Sequence, residues 1–271
     1  MPKLRATEGA GARFELDLDV GSKSDIGRVR TNNEDACRVL RDARVFVIAD
    51  GMGGEAHGEL ASGIAGDTVT EFCSGDSSQY SDAAGAAGRS EFSEKTNRLM
   101  SAARLANQRI YEASLKDASL RGMGATLVAA WVEGNQLSLV HVGDSRAYLL
   151  RDGALKQLTT DHTLVEEQVR SGLIKPEEAH LSKMQNVLIR ALGVKSEVEL
   201  DAAEIILSSG DILLLCTDGL TRMAPNAEIE RVLGETRSAQ ARADRLVALA
   251  NEHGGEDNVS VIVVQVGSSE A

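Results

Sequence analysis

Short apolar runs separated by turn-forming residues recur along most of the chain and predict β-strands. In each run the apolar residues either alternate with polar ones or form a brief continuous stretch, as in Val-Phe-Val-Ile-Ala at 45–49. The predicted strands cover 14–20, 36–40, 45–49, 125–132, 136–142, 146–150, 198–207, 211–217 and 258–266. Because the connections at 41–44, 133–135, 143–145 and 208–210 are short, the sequence predicts antiparallel pairing across each of them.

A second periodicity, with apolar residues three and four positions apart, predicts helices between these strands. It covers 59–72 and 239–253, and it is clearest in 93–118, where apolar residues recur from Leu99 to Ala113. Strands in runs together with helices in pairs predict an α+β fold. The expected architecture is a sandwich of two antiparallel sheets with helices packed outside.

We expect this fold to form one domain over 14–267, preceded by a flexible tail at 1–13. A length of 271 residues is compatible with one domain, because sandwiches and barrels reach this size. The segment 74–91 is rich in Ser, Gly, Asp and Ala and shows no periodicity. It is therefore expected to be a mobile surface insertion.

The composition of the chain argues against some classes of partner and location. The net charge of −12 and the aromatic content of 3% argue against a nucleic-acid partner, which would require a basic surface and stacking rings. The three cysteines are scattered and lack zinc-site spacing, as expected of free thiols in a reducing cytosol. The first residues lack a continuous apolar stretch, and no run reaches about 18 apolar residues. We therefore expect a cytoplasmic protein without a membrane anchor.

Acidic residues stand where apolar runs stop. Asp50 follows Val-Ile-Ala and precedes Gly51, and Asp218 follows Leu-Leu-Leu-Cys-Thr and precedes Gly219. Each Asp-Gly pair taken alone has a plainer explanation, because this dipeptide is common in turns. The two pairs nevertheless place a carboxylate at the end of a predicted strand.

Further carboxylates stand at the predicted strand ends. Glu34 and Asp35 precede a strand, Asp144 lies between two strands, and Asp257 precedes the last strand. A set of carboxylates without a Cys or His ligand cluster is the oxygen-only coordination that Mg²⁺ or Mn²⁺ requires. Two such ions can activate a water and hold an oxyanion, so hydrolysis of a phosphate ester is the predicted use.

A site that binds a phosphate ester is also expected to contain a cationic side chain. The fork of Arg30, in Gly-Arg-Val-Arg-Thr-Asn-Asn-Glu at 27–34, suits bidentate phosphate binding, and Arg28 is the competing candidate. A solvated surface arginine is the plainer interpretation of Arg30.

Seven motifs in order make the chain resemble the bacterial branch of the protein phosphatase 2C (PPM) family. They are Arg-Thr-Asn-Asn-Glu-Asp at 30–35, Ala-Asp-Gly-Met-Gly-Gly at 49–54, Met-Gly-Ala-Thr at 123–126, His-Val-Gly-Asp-Ser-Arg at 141–146, Thr-Asp-His at 160–162, Cys-Thr-Asp-Gly at 216–219 and Glu-Asp-Asn at 256–258. The resemblance covers about 20–266 and implies an α-β-β-α sandwich. It also implies a binuclear Mg²⁺/Mn²⁺ centre in the cleft between the sheet ends.

The resemblance implies a role for each site residue. Asp50 would bridge both metals, the carbonyl of Gly51 would complete one of them, and Asp218 with Asp257 would hold the other. The remaining roles are Glu34 acting through a coordinated water, Asp144 with Asp218 at a weaker third metal, and Arg30 binding the substrate phosphate. Asp35 and Asn258 are expected to support the ligands through hydrogen bonds.

The chain departs from the family pattern beside the centre. Met52 stands where animal members carry a histidine that is a proposed general acid, and Glu55 stands where many bacterial members have histidine. His57, two positions on, either acts as the general acid or only caps the helix. The segment 164–186 occupies the position of the family's flap but lacks the His-Pro dipeptide common in bacterial flaps.

The predicted function is hydrolysis of phosphoserine and phosphothreonine in proteins by a metal-activated water, opposing Hanks-type kinases. The partners would be phosphorylated proteins, among them kinases and their substrates, with the enzyme acting as a monomer. One alternative is a partner-switching phosphatase that acts on an anti-sigma antagonist. The other is a catalytically weak pseudophosphatase that binds phosphoproteins.

Overall fold

The computed structural model describes residues 16–53, 57–75, 89–175, 178–179, 182, 184, 186–235 and 237–267. The predicted tail at 1–13 and most of the predicted insertion, 76–88, lie outside the described residues. The strands are β1 (Leu18–Asp25), β2 (Asp35–Leu40), β3 (Val45–Met52), β4 (Gly124–Ala125), β5 (Leu127–Glu133), β6 (Gln136–Val142), β7 (Arg146–Arg151), β8 (Ala154–Gln157), β9 (Asp201–Ile206), β10 (Ile212–Cys216) and β11 (Val259–Val266). The helices are α1 (His57–Ser74), α2 (Glu94–Lys116), α3 (Leu164–Arg170), α4 (Asp218–Thr221), α5 (Asn226–Gly234) and α6 (Ala239–Glu252), with a 3₁₀ turn at Ala118–Leu120.

These strands form two antiparallel sheets. Within the described ranges, one sheet has the order β1-β11-β10-β7-β8 and the other the order β2-β3-β5-β6-β9, with the short β4 paired to β3. Each sheet contains a pair of strands that are distant in sequence: β6 pairs with β9, and β1 pairs along its whole length with β11. Both sheets are therefore complete only when segments far apart in sequence have paired.

Successive side chains of the central strands point to opposite faces of the sheet, so each sheet packs against helices on one face and against the other sheet on the opposite face. In β3, Val45, Val47 and Ala49 pack into the apolar cluster that also contains α1 and α2, whereas Phe46 and Ile48 point to the cluster between the sheets. This is the period of two expected of a strand buried on both faces.

The other sheet repeats the arrangement. In β10, Leu213 and Leu215 enter the cluster between the sheets, while Leu214 and Cys216 pack against α5 and α6. The predicted α+β sandwich with helices outside two antiparallel sheets is thereby confirmed.

Two of the four predicted hairpins exist, and two are wrong. The turns at 41–44 and 133–135 join paired strands, β2 to β3 and β5 to β6. The connections at 143–145 and 208–210 instead carry the chain from one sheet to the other. Three extended residues span about 10 Å, which is the distance between packed sheets, so a short connection fits a crossing as well as a hairpin.

The structure also contains elements that the apolar pattern did not predict. They are β8, α4, α5 and, inside the predicted flap, α3. The first strand is displaced as well, since β1 runs on to Asp25 rather than ending at Val20. Among the described residues, no helix combines the length and apolar character needed to cross a bilayer.

Close backbone contact joins α4 to the start of β11. A Cβ placed on Gly219 would overlap the backbone oxygen of Asn258, so only glycine allows this approach. The contact sets the separation between Asp218 and Asp257, the neighbours of these two residues.

We expect Gly219→Ala to lower the free energy of unfolding by about 1–3 kcal/mol, because the added methyl must displace main chain. Gly63→Ala is the matched control. Gly63 lies in α1, and a Cβ there has open space around it within the described structure. That control should gain up to about 1 kcal/mol through helix propensity. Urea unfolding of both variants measures the difference, and equal stability of the two would contradict the close contact.

Candidate metal centre

Acidic side chains converge where the ends of the two sheets meet. They line a cleft of about 1420 Å³ together with Arg30, Arg190 and Arg222. Its wall carries Glu34, Asp50, Asp144, Asp218 and Asp257, and also Glu59, Glu197 and Glu199. The structure thus brings together all the carboxylates for which the family resemblance implied a metal role, along with Gly51.

The six-stranded sheet supplies Asp50 at the end of β3. Its neighbour across the sheet is Asp35, the first residue of β2, whose carboxylate accepts a hydrogen bond from the Thr217 hydroxyl at 3.0 Å. The Gly51 N–H donates to the backbone oxygen of Glu34 at 3.1 Å. The loop that carries Glu34 is therefore tied directly to the strand end that carries Asp50.

The five-stranded sheet supplies Asp218 and Asp257. Asp218 is the first residue of α4 and lies two residues after the end of β10, and Asp257 lies two residues before β11. These two strand ends are joined through Thr217 and Ser260, which exchange two hydrogen bonds of 3.0 and 3.1 Å. Thr217 also reaches Asp35, so one buried hydroxyl links the two sheets beneath the carboxylates.

Asp144 reaches the cleft from the crossing between the sheets. The preceding Gly143 has φ of 103°, a left-handed conformation that favours glycine. The following Ser145 is hydrogen-bonded to Thr126 at 2.7 Å, and the same Thr126 hydroxyl accepts the Asp50 N–H at 2.9 Å. Asp144 and Asp50 are thus positioned by one buried hydroxyl pair.

Burial and mutual repulsion raise the pKa values of several of these carboxylates. The pKa of Asp50 is raised well above its ordinary value, first by burial and then by the nearby charges of Asp35 and Asp218. Burial also raises the pKa of Asp218, with Arg222 opposing the shift. The pKa values of Asp35 and Asp144 rise to about 7, again with burial as the main cause.

The site fits a divalent metal centre by its own chemistry. Oxygen atoms Oδ1 of Asp35 and Oδ1 of Asp218 are buried and have no hydrogen-bond partner among the described residues. A buried carboxylate oxygen without a donor is costly unless a cation approaches it. The unpartnered oxygen of Asp218 and the other carboxylates on the cleft wall, which as described carries no thiolate or imidazole, match the preference of Mg²⁺ and Mn²⁺ for oxygen ligands.

The arginine prediction is supported by placement. Among the described residues, Arg30 lines the cleft and Arg28 does not. Arg30 forms a two-point ion pair with Asp257, its Nε and Nη2 each 2.9 Å from a carboxylate oxygen. The hydrogen bond to Asp257 raises the pKa of the guanidinium further. Both donors of the fork thus point at a carboxylate at the edge of the cleft, and the assignment of Arg30 to a phosphate stays a prediction.

His57 has less support as a general acid. It is the first residue of α1, and within the described ranges the cleft wall includes Glu59 and Met52 but not His57. Residues 54–56, which connect it to β3, lie outside the described residues. Both roles considered for His57 stay predictions.

A second group of potential ligands, His141, His162 and Asp201, lies behind the crossing that carries Asp144. The rings stack with centroids 4.6 Å apart. His141 Nε2 donates to the Thr160 carbonyl at 2.9 Å, and His162 Nδ1 accepts the Gly143 N–H at 3.1 Å.

These bonds leave His162 with its proton on Nε2, which lies 3.4 Å from Asp201. Arg190 pairs with the same carboxylate at 3.1 Å. Through His141 Nε2 and His162 Nδ1 this group holds the Thr160 carbonyl and the Gly143 N–H, and it therefore supports the 143–145 loop from outside the set of carboxylates.

Several residues of the centre were not assigned a role by sequence reasoning. Thr126 and Ser145 stand inside quoted motifs, which was the available signal, whereas Arg222 stands in none. The predicted support by Asn258 is visible as contacts. Its side chain accepts the Glu34 N–H at 2.8 Å and donates to the carbonyls of Ile26 and Asn32 at 3.0 and 2.8 Å.

This sandwich, with oxygen ligands gathered at the ends of its sheets, has the architecture of a metal-dependent phosphatase. Comparison with known proteins specifies the family. Residues 27–253 match the family model described as Protein phosphatase 2C, and the chain belongs to that family. The family and the enzyme class predicted from the motifs are therefore confirmed.

Relatives and solved structures agree. The chain is 38% identical over 246 residues to the serine/threonine phosphatase stp of Listeria monocytogenes, covering 90% of this chain and 94% of that protein. It is 40% identical over 256 residues to the serine/threonine protein phosphatase PstP of Mycobacterium tuberculosis, covering 94% of this chain and 46% of PstP. The structure of the PstP catalytic domain in complex with two manganese ions matches with a TM-score of 0.80 and 38% identity, covering 93% of this chain and all of that one.

The raised pKa values predict that protons and metal ions compete at this centre. Burial raises the pKa of Asp144, a proposed ligand, to about 7, so a divalent cation must displace its proton at lower pH. We expect Mn²⁺ affinity to fall as the pH is lowered from about 8 to about 6, with protons released on binding. Calorimetric titrations in two buffers of different ionisation enthalpy measure both effects. An affinity that stays constant over this range would contradict the pKa shifts.

Proposed function

We propose that this chain hydrolyses phosphoserine and phosphothreonine in proteins at a binuclear Mn²⁺ or Mg²⁺ centre. Asp50 would bridge the two ions, the Gly51 carbonyl would complete one, and Asp218 with Asp257 would hold the other. Glu34 would act through a water. The observation that carries the proposal is the meeting of these carboxylates with an arginine fork in one cleft.

The ions, when bound, would supply an activated water and neutralise the charge of the phosphate. The chain's own residues do the rest. Arg30 orients the phosphate, and the hydrogen-bonded threonines and serines hold the carboxylates in place against their mutual repulsion. Asp144 with Asp218 is proposed to hold a weaker third ion.

The substrate class follows from the family and from its relatives, several of which are named serine/threonine phosphatases. We propose opposition to Hanks-type kinases as the physiological role. A partner-switching role would place the same chemistry on an anti-sigma antagonist, and a panel of phosphoproteins separates the two. Loss of a metal carboxylate would be the usual sign of a pseudophosphatase, and all of the predicted carboxylates line the cleft. Action in the cytoplasm and as a monomer stay predictions from the sequence.

Among the described residues of the proposed flap, Asn186 lies on the wall of the same cleft. We propose that 164–186 shapes the surface that receives the protein substrate, because loops beside a rigid site are where specificity is adjusted.

Removing one metal carboxylate tests the chemistry. Asp218→Asn should lower kcat on a phosphopeptide by more than about 100-fold, or about 2.7 kcal/mol of barrier, because a neutral ligand weakens metal binding. Asp67→Asn is the matched control, since Asp67 is an exposed carboxylate paired with Arg38 at 2.7 Å. Steady-state kinetics with saturating Mn²⁺ compare the two. Similar turnover in both variants would refute the proposed centre.

The choice of arginine is tested separately. Arg30→Ala should raise KM by roughly 10- to 100-fold, since a hydrogen bond to a charged group contributes about 1.5–3 kcal/mol. The rise in KM should be at least as large as the fall in kcat, because the phosphate contact already exists in the bound substrate. Arg28→Ala, with the same loss of charge next to Arg30 in sequence, should change little. Phosphopeptide kinetics that rank the two variants the other way would assign the phosphate to Arg28.

A further inference from the structure

Asp257, a proposed metal ligand, is already saturated with donors. Its Oδ1 faces Arg30 Nε and the Asn258 N–H, each at 2.9 Å. Its Oδ2 faces Arg30 Nη2 at 2.9 Å and Arg222 Nη1 at 3.4 Å. Because a carboxylate offers about four acceptor positions, these four N–H groups occupy all of them. A cation that takes Asp257 as a ligand must therefore displace one of the donors.

Arg222 is the donor with the weakest hold. Its contact is 0.5 Å longer than either bond from Arg30, the difference between 3.4 and 2.9 Å. The 3.4 Å contact lies at the outer limit of hydrogen bonding, so most of its attraction is Coulombic. Displacing Arg222 is thus the least costly way to open Asp257.

Arg222 also contacts the second carboxylate of the same proposed metal position. Its Nη1 lies 3.5 Å from Oδ2 of Asp218, one helical turn earlier in α4. The other oxygen of Asp218, Oδ1, is buried without a hydrogen-bond partner among the described residues. One guanidinium therefore stands between two ligands that the proposed function assigns to a single metal ion, and its side chain is 35% exposed at the cleft wall.

We propose that Arg222 is an internal counter-ion that competes with the divalent metal for Asp218 and Asp257 and so lowers the metal affinity of the centre. The proposal rests on the proposed function, because it concerns that same metal position. The positive charge neutralises the two carboxylates when they would otherwise repel each other, and it repels a divalent cation that approaches them. Arg30 differs, since it pairs with Asp257 alone and is assigned to the substrate phosphate.

Two opposite effects on metal affinity separate this role from a supporting one. If Arg222 oriented the ligands, its removal would loosen Asp218 and Asp257 and weaken metal binding. If it competes with the metal, its removal strengthens binding. The direction of the change in Mn²⁺ affinity, measured without any substrate, therefore decides between them.

The experiment is a calorimetric titration of the chelator-treated full chain with Mn²⁺ alone, at fixed pH and low salt. Arg222→Gln should bind at least one Mn²⁺ about tenfold more tightly, the order expected for removing one charge a few ångströms from a divalent ion in a solvated cleft. Arg222→Lys keeps the charge and should stay closer to the unmodified chain. The tenfold gain should shrink as salt is added, because screening weakens the repulsion.

Arg231→Gln is the matched control. Arg231 pairs with Glu235 at 3.5 Å with the same spacing of four residues, but on α5 and away from the cleft wall as described. The change removes the same charge from the chain, and Mn²⁺ affinity should stay at the unmodified value.

Unchanged or weaker Mn²⁺ binding by Arg222→Gln, with the unmodified chain binding normally, would overturn the counter-ion role and leave the proposed function standing. A gain of equal size in Arg231→Gln would overturn it as well, because the effect would then come from net charge. Absence of Mn²⁺ binding in the unmodified chain would overturn the proposed centre and this inference together.

Discussion

Repulsion among buried carboxylates is the interaction around which this molecule is organised. Asp35, Asp50, Asp144 and Asp218 meet at the ends of the sheets, where burial and their shared charge raise their pKa values. Such a cluster costs folding free energy unless cations or protons offset it. Two guanidinium groups and a set of hydroxyl and amide donors offset this cost at the edge of the cleft, and bound divalent ions would offset it inside the cleft. The same charges therefore affect both the stability of the fold and the proposed metal binding.

The sandwich is what makes this concentration of charge possible. Asp50 comes from one sheet and Asp218 from the other, while Asp144 lies on the chain that crosses between them. The apolar cluster between the sheets fixes their separation, and the buried hydroxyl of Thr217 connects the two halves directly under the site. A rigid support of this kind holds ligand oxygens close together despite their repulsion, because the cost is distributed over a large core.

Arginine has two different uses at this site. Arg30 makes a short two-point contact with one carboxylate at a half-exposed position, which suits a group that exchanges a protein anion for a substrate anion. Arg222 makes longer contacts with two carboxylates at once. Planar guanidinium groups serve both uses because their charge is permanent and their donors point in fixed directions. Under the proposed function, the strength of metal binding and the recognition of phosphate would be linked through Asp257.

The layers, most of the strands and the identity of the carboxylates could be predicted from the sequence. The apolar alternation, the helical spacing and the order of the motifs indicate them, because these signals depend on neighbours within a few residues along the chain. The sequence did not determine which sheet each strand joins: the connections at 143–145 and 208–210 were read as hairpins because their length fits either a turn or a crossing. It also did not indicate Arg222, or the pairing of Arg30 with Asp257 across 227 positions. Only the tertiary structure decided those contacts, because two side chains far apart in sequence meet through the packing of the whole core and no local periodicity records where they meet.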